Sequence, residues 1–156
     1  RASLCARTLK PITAAPIEVH DEVTGLCTYV SGLTGKLYAF VATDGGQLEQ
    51  WELFVDKGKA HGRFIRRIAA GTGVSHCVVD DVTGALFFSE ESTGLWRVAA
   101  EPESDSARSA VDLVEPRGSL HEEVKGVGLY RRDGQTPYLI ASDAGAGAFN
   151  VYSLEG

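Results

Sequence analysis

Carboxylates supply most of the chemistry that this sequence offers. Glu90 and Glu91 stand side by side, as do Asp80 and Asp81, and clustered acids are the oxygen donors that a hard divalent cation takes. An acid pair at a strand end is also ordinary solvated surface, which is the plainer reading of Glu90 and Glu91. Asp80 and Asp81 directly precede Thr83 and Gly84, where aspartate bonds backbone N–H groups and holds a turn, so a structural role is expected. His76 has neither a triad order nor a second histidine beside it; His20 with Asp21, and His61 beside Gly62, read as loop residues. Gly145, Ala146 and Gly147 neither open a helix nor precede a lysine, as a phosphate cradle would require, and are expected to form a hairpin turn. Lys57, Lys59, Arg63, Arg66 and Arg67 make a basic cluster. A charged strand edge that discourages unwanted pairing is the expected role, with an anion-binding patch as the alternative.

The elements that must position these groups are strands. One pattern occurs three times, at residues 25–53, 75–98 and 126–154. Each copy reads as a short apolar strand, a polar turn with Gly, a second strand of aliphatic and aromatic residues, another Gly turn, and a third strand closed by Trp51, Trp96 or Tyr152. Leu37, Leu86 and Tyr138 recur at roughly 50 residues, the period of a propeller blade. Alternation and β-branched or aromatic enrichment predict strands at 37–41, 48–54, 77–80, 85–89, 95–99 and 138–142. The pairs Thr34-Gly35, Thr83-Gly84 and Asp133-Gly134 predict turns. Residues 56–62 read as a polar link and 101–117, with a proline near each end, as a long surface connection. A single domain over 1–156 is expected, with a lead-in strand in 1–22 and repeats at about 23–56, 63–100 and 119–156.

Composition narrows the class. The chain has 156 residues, 44% hydrophobic and 23% charged, which describes one globular core. No stretch approaches the roughly 20 apolar residues of a membrane helix. The balance of 15 basic against 21 acidic residues, a net charge of −6, argues against nucleic acid as a partner, since phosphate backbones are held by clustered Lys and Arg. There is no Met and no basic-then-apolar leader, so a processed protein or a piece of a longer one is expected. The three cysteines, Cys5, Cys27 and Cys77, have no metal-ligand spacing. Cys27 and Cys77 occupy near-equivalent places in adjacent repeats. Buried apolar thiols are the expected state, with a Cys27–Cys77 disulfide as the alternative.

Propellers close with about 4–8 blades, and three repeats fall short of that. Four segments carry a more specific signal: TGKLYAFVATDGGQLEQWELF (34–54), VVDDVTGALFFSEESTGLWRVAAEP (78–102), EEVKGVGLY (122–130) and PYLIASDAGAGAFNVY (137–152). Together, in this order and spacing, they resemble the β-propeller phytases, secreted calcium-dependent enzymes that remove phosphate from myo-inositol hexakisphosphate. The resemblance implies an all-β fold, about three blades of a six-bladed propeller. It also implies Ca²⁺ held by acidic blade-tip residues, a metal-activated water attacking phosphorus, and basic side chains holding the substrate phosphates.

Position by position, the resemblance carries over only in part. Glu91 keeps one acidic metal position and Glu123 keeps a carboxylate at another. Ser75, Lys125 and Ala144 replace expected ligands, although Asp143 adds a carboxylate beside Ala144. His76 replaces a Gly, Thr24 a Tyr, and Asp44 falls where the family has a phosphate-binding Lys. Lys125 is the most damaging change, because an ammonium repels the metal that a carboxylate would hold. The expected function is therefore a phytase-like protein with a degenerate site in this segment. The alternative is a non-catalytic interaction or substrate-capture module that docks a partner chain or an intact phytase domain. A protein partner or further domain completing the propeller is expected, phytate is a candidate ligand, and the resemblance implies a secreted or periplasmic location.

Overall fold

The run LYAFVA at 37–42 is apolar at every position, so an extended strand there must be covered on both faces. Tyr38, Phe40 and Ala42 are buried on one face, and Ala39 and Val41 on the other. The computed structural model describes residues 10–155, and within them the protein is all-β. The first sheet is a meander of β1 (Val23–Val30), β2 (Leu37–Thr43), β3 (Gln47–Asp56) and β4 (Lys59–Ala69). The second repeats it with β5 (Val74–Asp80), β6 (Ala85–Glu90), β7 (Gly94–Ala99) and β8 (Ser109–Leu113). The third has β9 (Val127–Tyr130), β10 (Tyr138–Asp143) and β11 (Ala148–Ser153). All neighbouring strands pair antiparallel. Three sheets stacked face to face are three successive blades of an open propeller.

The core lies between the blades. Phe40 and Tyr38 of the first pack with Leu86, Phe88 and Val98 of the second. Alternate residues of the same strand β6, Ala85 and Phe87, turn the other way and meet Leu139 and Ala141 of the third, with Leu120 and Val124 from the 114–126 connection. Phe40 and Phe88 are fully buried, each contributing about 2 kcal/mol by area removed from water.

Two segments read as links contain strands. Residues 56–62 hold a two-residue hairpin, in which Asp56 pairs with Lys59 across Lys57 and Gly58, both at positive φ (48° and 75°). Such a turn matches the strand twist, but Lys in place of Asn or Asp hid it. The basic cluster is therefore this turn and the outer strand β4. Within 101–117, Ser109–Leu113 pairs with β7, supplying the fourth strand of the second blade. The turns at Gly35, Gly84 and Gly134 are present, each glycine in the left-handed region. The described part of the lead-in, residues 10–22, forms no extended strand. It makes a single bridge from Thr13 to Ala60 and lays Ile17 and Val19 over Ala39, Val41 and Trp51.

The cysteines depart from expectation as well. Cys27 of β1 and Cys77 of β5 form a disulfide, with Cα atoms 5.6 Å apart; Cys5 lies outside the described residues. The inner strands approach closely enough to permit it, since a Cβ on Gly25 would stand 1.9 Å from the Ser75 carbonyl oxygen. Only glycine allows that contact. The bond closes a sequence separation of 50. Replacing both cysteines with serine is expected to cost about 4 kcal/mol of stability by loop entropy, lowering Tm by about 10 °C. Circular dichroism melts with and without reductant measure it, and coincident melts would contradict the pairing.

Candidate functional site at the blade tips

Every second-to-third-strand turn lies at one end of the stack, together with the connections between blades. Backbone hydrogen bonds clasp each turn to the adjacent connection. Ala70 N–H and Gly71 N–H donate to Gly46 O at 3.0 and 3.1 Å, and Glu91 N–H donates to Gly73 O at 3.3 Å. Glu123 N–H and Val124 N–H donate to Glu91 O at 2.9 and 3.1 Å, and Ala144 N–H donates to Glu123 O at 3.3 Å. Glu91, Glu123 and Ala144, scattered over the sequence, are thereby joined through their main chains.

Their side chains do not make a cage. Glu90 and Glu91 are split by strand alternation: Glu90 is buried and takes an ion pair from Arg108 at 3.0 Å, while Glu91 stays half-buried at the tip. Glu123 is exposed, in the left-handed region at φ 68°. Its carboxylate lies 3.7 Å from the Lys125 ammonium. The Ser75 hydroxyl is bonded to His76 Nδ1 at 2.8 Å, and Ala144 opens the short turn Ala144–Ala146 with no polar side chain to offer. Thr24 Oγ1 donates to Val74 O at 2.7 Å across the first seam. Asp44 sits exposed on the first blade's tip, its N–H donating to Glu22 O.

Asp143, the added carboxylate, is buried and spoken for. His121 donates its backbone N–H to Oδ1 at 3.0 Å and sets Nδ1 3.1 Å from Oδ2. The hydrogen bond and charge of Asp143 raise the His121 pKa above the ordinary imidazole value, against a smaller opposing effect of desolvation. His121 is the tip residue that the sequence did not reveal. It lies 22 positions from Asp143, and only the loop's path brings the two together.

The remaining flagged groups are structural. Asp80 accepts from Val82 N–H and Thr83 Oγ1 within its turn, as expected, and also binds Arg131 of the next blade. Burial pushes its carboxyl up, but those donors more than offset it and hold the pKa below the usual range. In the basic cluster, Arg63 pairs with Glu52 and Arg67 with Glu49. Arg66 is consumed by Gln50 and the carbonyls of Ala99 and Ser104. Those guanidiniums are occupied by protein acceptors, so an anion patch has little left to bind with. A cleft of ≈ 450 Å³ lined by Asp80, Phe87, Arg97, Arg131 and Leu154 opens between the second and third blades at the opposite end from the tips.

Antiparallel meanders of four, four and three strands stacked in series agree with the comparison to known proteins. A family model described as Phytase matches residues 5–156. The chain belongs to the phytase family. A 3-phytase of Bacillus subtilis (strain 168) is 33% identical over 153 residues, covering 95% of this chain and 40% of that relative. The chain thus spans two fifths of the length of the curated relative it matches.

The family implies calcium, and the tip residues present do not fit it. Ca²⁺ takes 6–8 oxygens, whereas Glu91 and Glu123 bring two carboxylates, one of them beside an ammonium. Among the described residues no three His, Cys, Asp or Glu side chains are gathered as a metal site. The His121–Asp143 pair has a distinct pH signature. Because the imidazole pKa is raised on folding, the pair's stabilisation is complete below the ordinary imidazole value and is lost as pH rises through the raised one. An NMR titration of the His121 ring should show that raised midpoint, and Asp143→Asn should return it toward about 6.5. An unchanged midpoint in the variant would remove Asp143 as the cause.

Proposed function

We propose that this chain is a phytase-type half-propeller whose own blade tips are catalytically degenerate toward myo-inositol hexakisphosphate. The observation that carries the reading is the Lys125 ammonium 3.7 Å from the Glu123 carboxylate, at the position where the family's motif has an acid. Unit charges 4 Å apart interact by about 1 kcal/mol in water and about 4 near a protein surface, and a divalent ion doubles the repulsion. Solvent screening at these exposed side chains favours the lower figure, yet the sign is unfavourable at every dielectric. Ser75 and Ala144 offer no carboxylate and Asp143 is engaged by His121, so of the motif positions only Glu91 is left to offset it.

The location proposed is an oxidising one, periplasmic or extracellular. The Cys27–Cys77 bond supports it, since structural disulfides persist outside the reducing cytosol. Among the described residues no helix is long and apolar enough to cross a membrane. A second reading, a docking module, is favoured by the apolar sheet faces left open at both ends of the stack, at Leu26 and Val30 and at Phe149 and Val151.

The chain incubated with phytate and millimolar Ca²⁺ is expected to release no phosphate above the level seen with chelator. Chelator-sensitive release would overturn the degenerate reading. In calorimetric titration, the double variant Ser75→Glu with Lys125→Glu is expected to bind Ca²⁺ at least tenfold more tightly than the parent, a gain of about 1.4 kcal/mol. Equal affinity would mean that these two positions do not face the metal.

A further inference from the structure

The hairpin that joins β3 to β4 stands clear of the rest of the first blade. β2 meets β3 no further than Leu37 opposite Leu53. β3 and β4 go on for three more pairs, Phe54 with His61, Val55 with Ala60 and Asp56 with Lys59. Those pairs and their turn project beyond the sheet, at the end opposite the tips. Sheet-on-sheet packing stops short of them. By alternation Phe54 is on the side of Gln50, whose Nε2 donates to Ala100 O, just past β7 of the second blade, at 2.8 Å. With that blade in place, Phe54 is still 41% exposed. Val55, on the other side of the hairpin, is 65% exposed.

The lead-in runs along the hairpin's outer side. Ala60 N–H donates to Ile12 O at 2.9 Å and Ala14 N–H donates to Ala60 O at 3.2 Å, so both backbone groups of Ala60 are paired away from water. Ile12 is 57% exposed, a third apolar side chain at this end. The local charge is opposite in sign to the chain's net −6: Lys57 and Lys59 face the single acid Asp56, and Lys10 stands two residues before Ile12. The guanidiniums of the basic cluster are taken by protein acceptors. These three ammonium groups are not, and none has an acid within ion-pair distance among the described residues. Lys57 also occupies a left-handed position, φ 48°, that suits Asn, Asp or Gly better. An outlier of that kind is grounds for asking what its side chain does.

We propose that this hairpin docks the protein on an anionic lipid surface, with Val55, Ile12 and Phe54 entering the interface and Lys10, Lys57 and Lys59 lying among the headgroups. Apolar side chains gain by leaving water for the boundary of the acyl layer. Lysine stems lie along that boundary and keep their ammonium groups in water, where an anionic leaflet attracts them and salt screens the attraction. Lysines that only guard a strand edge would not need exposed Val55 and Ile12 beside them. An acidic polymer would need the charge alone. Charge and apolar side chains on one projecting tip fit a membrane surface, and the hairpin's own ladder leaves few backbone groups to strand there.

Co-sedimentation with phosphatidylcholine vesicles that contain phosphatidylglycerol, against vesicles of phosphatidylcholine alone, tests it. The chain is expected to bind the anionic vesicles only, and less as salt is raised. Lys57→Glu with Lys59→Glu should weaken partitioning by more than about tenfold, each ammonium being worth about fivefold. Val55→Asn should weaken it by about threefold. These side chains are exposed, so the variants should keep the parent circular dichroism spectrum. Lys57→Gly removes one ammonium while suiting the turn's backbone, and should weaken binding with no loss of Tm. A chain that ignores anionic vesicles, or variants that bind them as the parent does, would overturn the proposal. Charge reversal that abolishes binding while Val55→Asn does not alter it, with soluble polyglutamate bound as well as the vesicles, would assign the hairpin to an acidic polymer and overturn the lipid surface.

Discussion

The geometry of the blade tips depends on how tightly β5 is held against β1. At Gly25 the two inner strands meet with no room for a side chain, a Cβ there falling 1.9 Å from the Ser75 oxygen. Two residues further along each strand, Cys27 and Cys77 join the strands covalently. Further down the same seam, Asp81 Oδ1 accepts from Val30 N–H at 3.0 Å, and Glu101 accepts from the Tyr29 and Ser31 hydroxyls. A propeller that closes gains rigidity from its ring. Within the three described sheets each seam also has contacts of its own that hold its angle. A covalent bond at Cys27 and a steric lock at Gly25 do that for the first seam, while Asp80 with Arg131 ties the second.

The acids divide by environment. Glu49, Glu52, Asp80 and Glu90 are buried, and each is paired with an arginine. A buried carboxylate without a partner costs several kcal/mol, so these groups are committed to the fold and have no spare capacity for a cation. The acids left free are exposed ones, such as Asp44 and Glu122, and exposed side chains hold a metal only when several are preorganised together. An excess of acids over bases is therefore a poor guide to metal capacity here.

Much of the strand framework was legible in the sequence, because buried strands carry their signal in apolar runs such as LYAFVA and ALFF, and glycine turns punctuate them. The outer strands were legible only in part. β8 and the turn that opens β4 read as linker because their polar residues meet solvent, whereas Arg63, Arg66 and Arg67 of β4 read as the charged strand edge that they form. Of the tip residues, Glu91, Glu123, Lys125 and Ala144 were reachable from motif positions alone. His121 was not, since the signal that matters is its contact with Asp143, made by a loop whose path no local pattern encodes. The disulfide was half legible: equivalent repeat positions brought the cysteines to neighbouring strands, but only the seam's closeness decides between bonded and free thiols.

The way the tips are built allows the framework to tolerate different side chains on it. Glu91, Glu123 and Ala144 are held together by carbonyl oxygens and amide hydrogens, groups that every residue other than proline supplies. Lys at 125 or Ala at 144 therefore leaves the clasp between the second and third blades intact, and Ser89 Oγ still donates to the Lys125 carbonyl at 2.7 Å. Side-chain chemistry at these positions is decoupled from folding, whereas Gly25 is not free to change, because its missing side chain is what the seam requires. Selection on stability alone would thus preserve the blades and release the ligands. A chain under that regime keeps the sheets, the turns and the inter-blade arginines, and loses carboxylates at positions that only a metal needed.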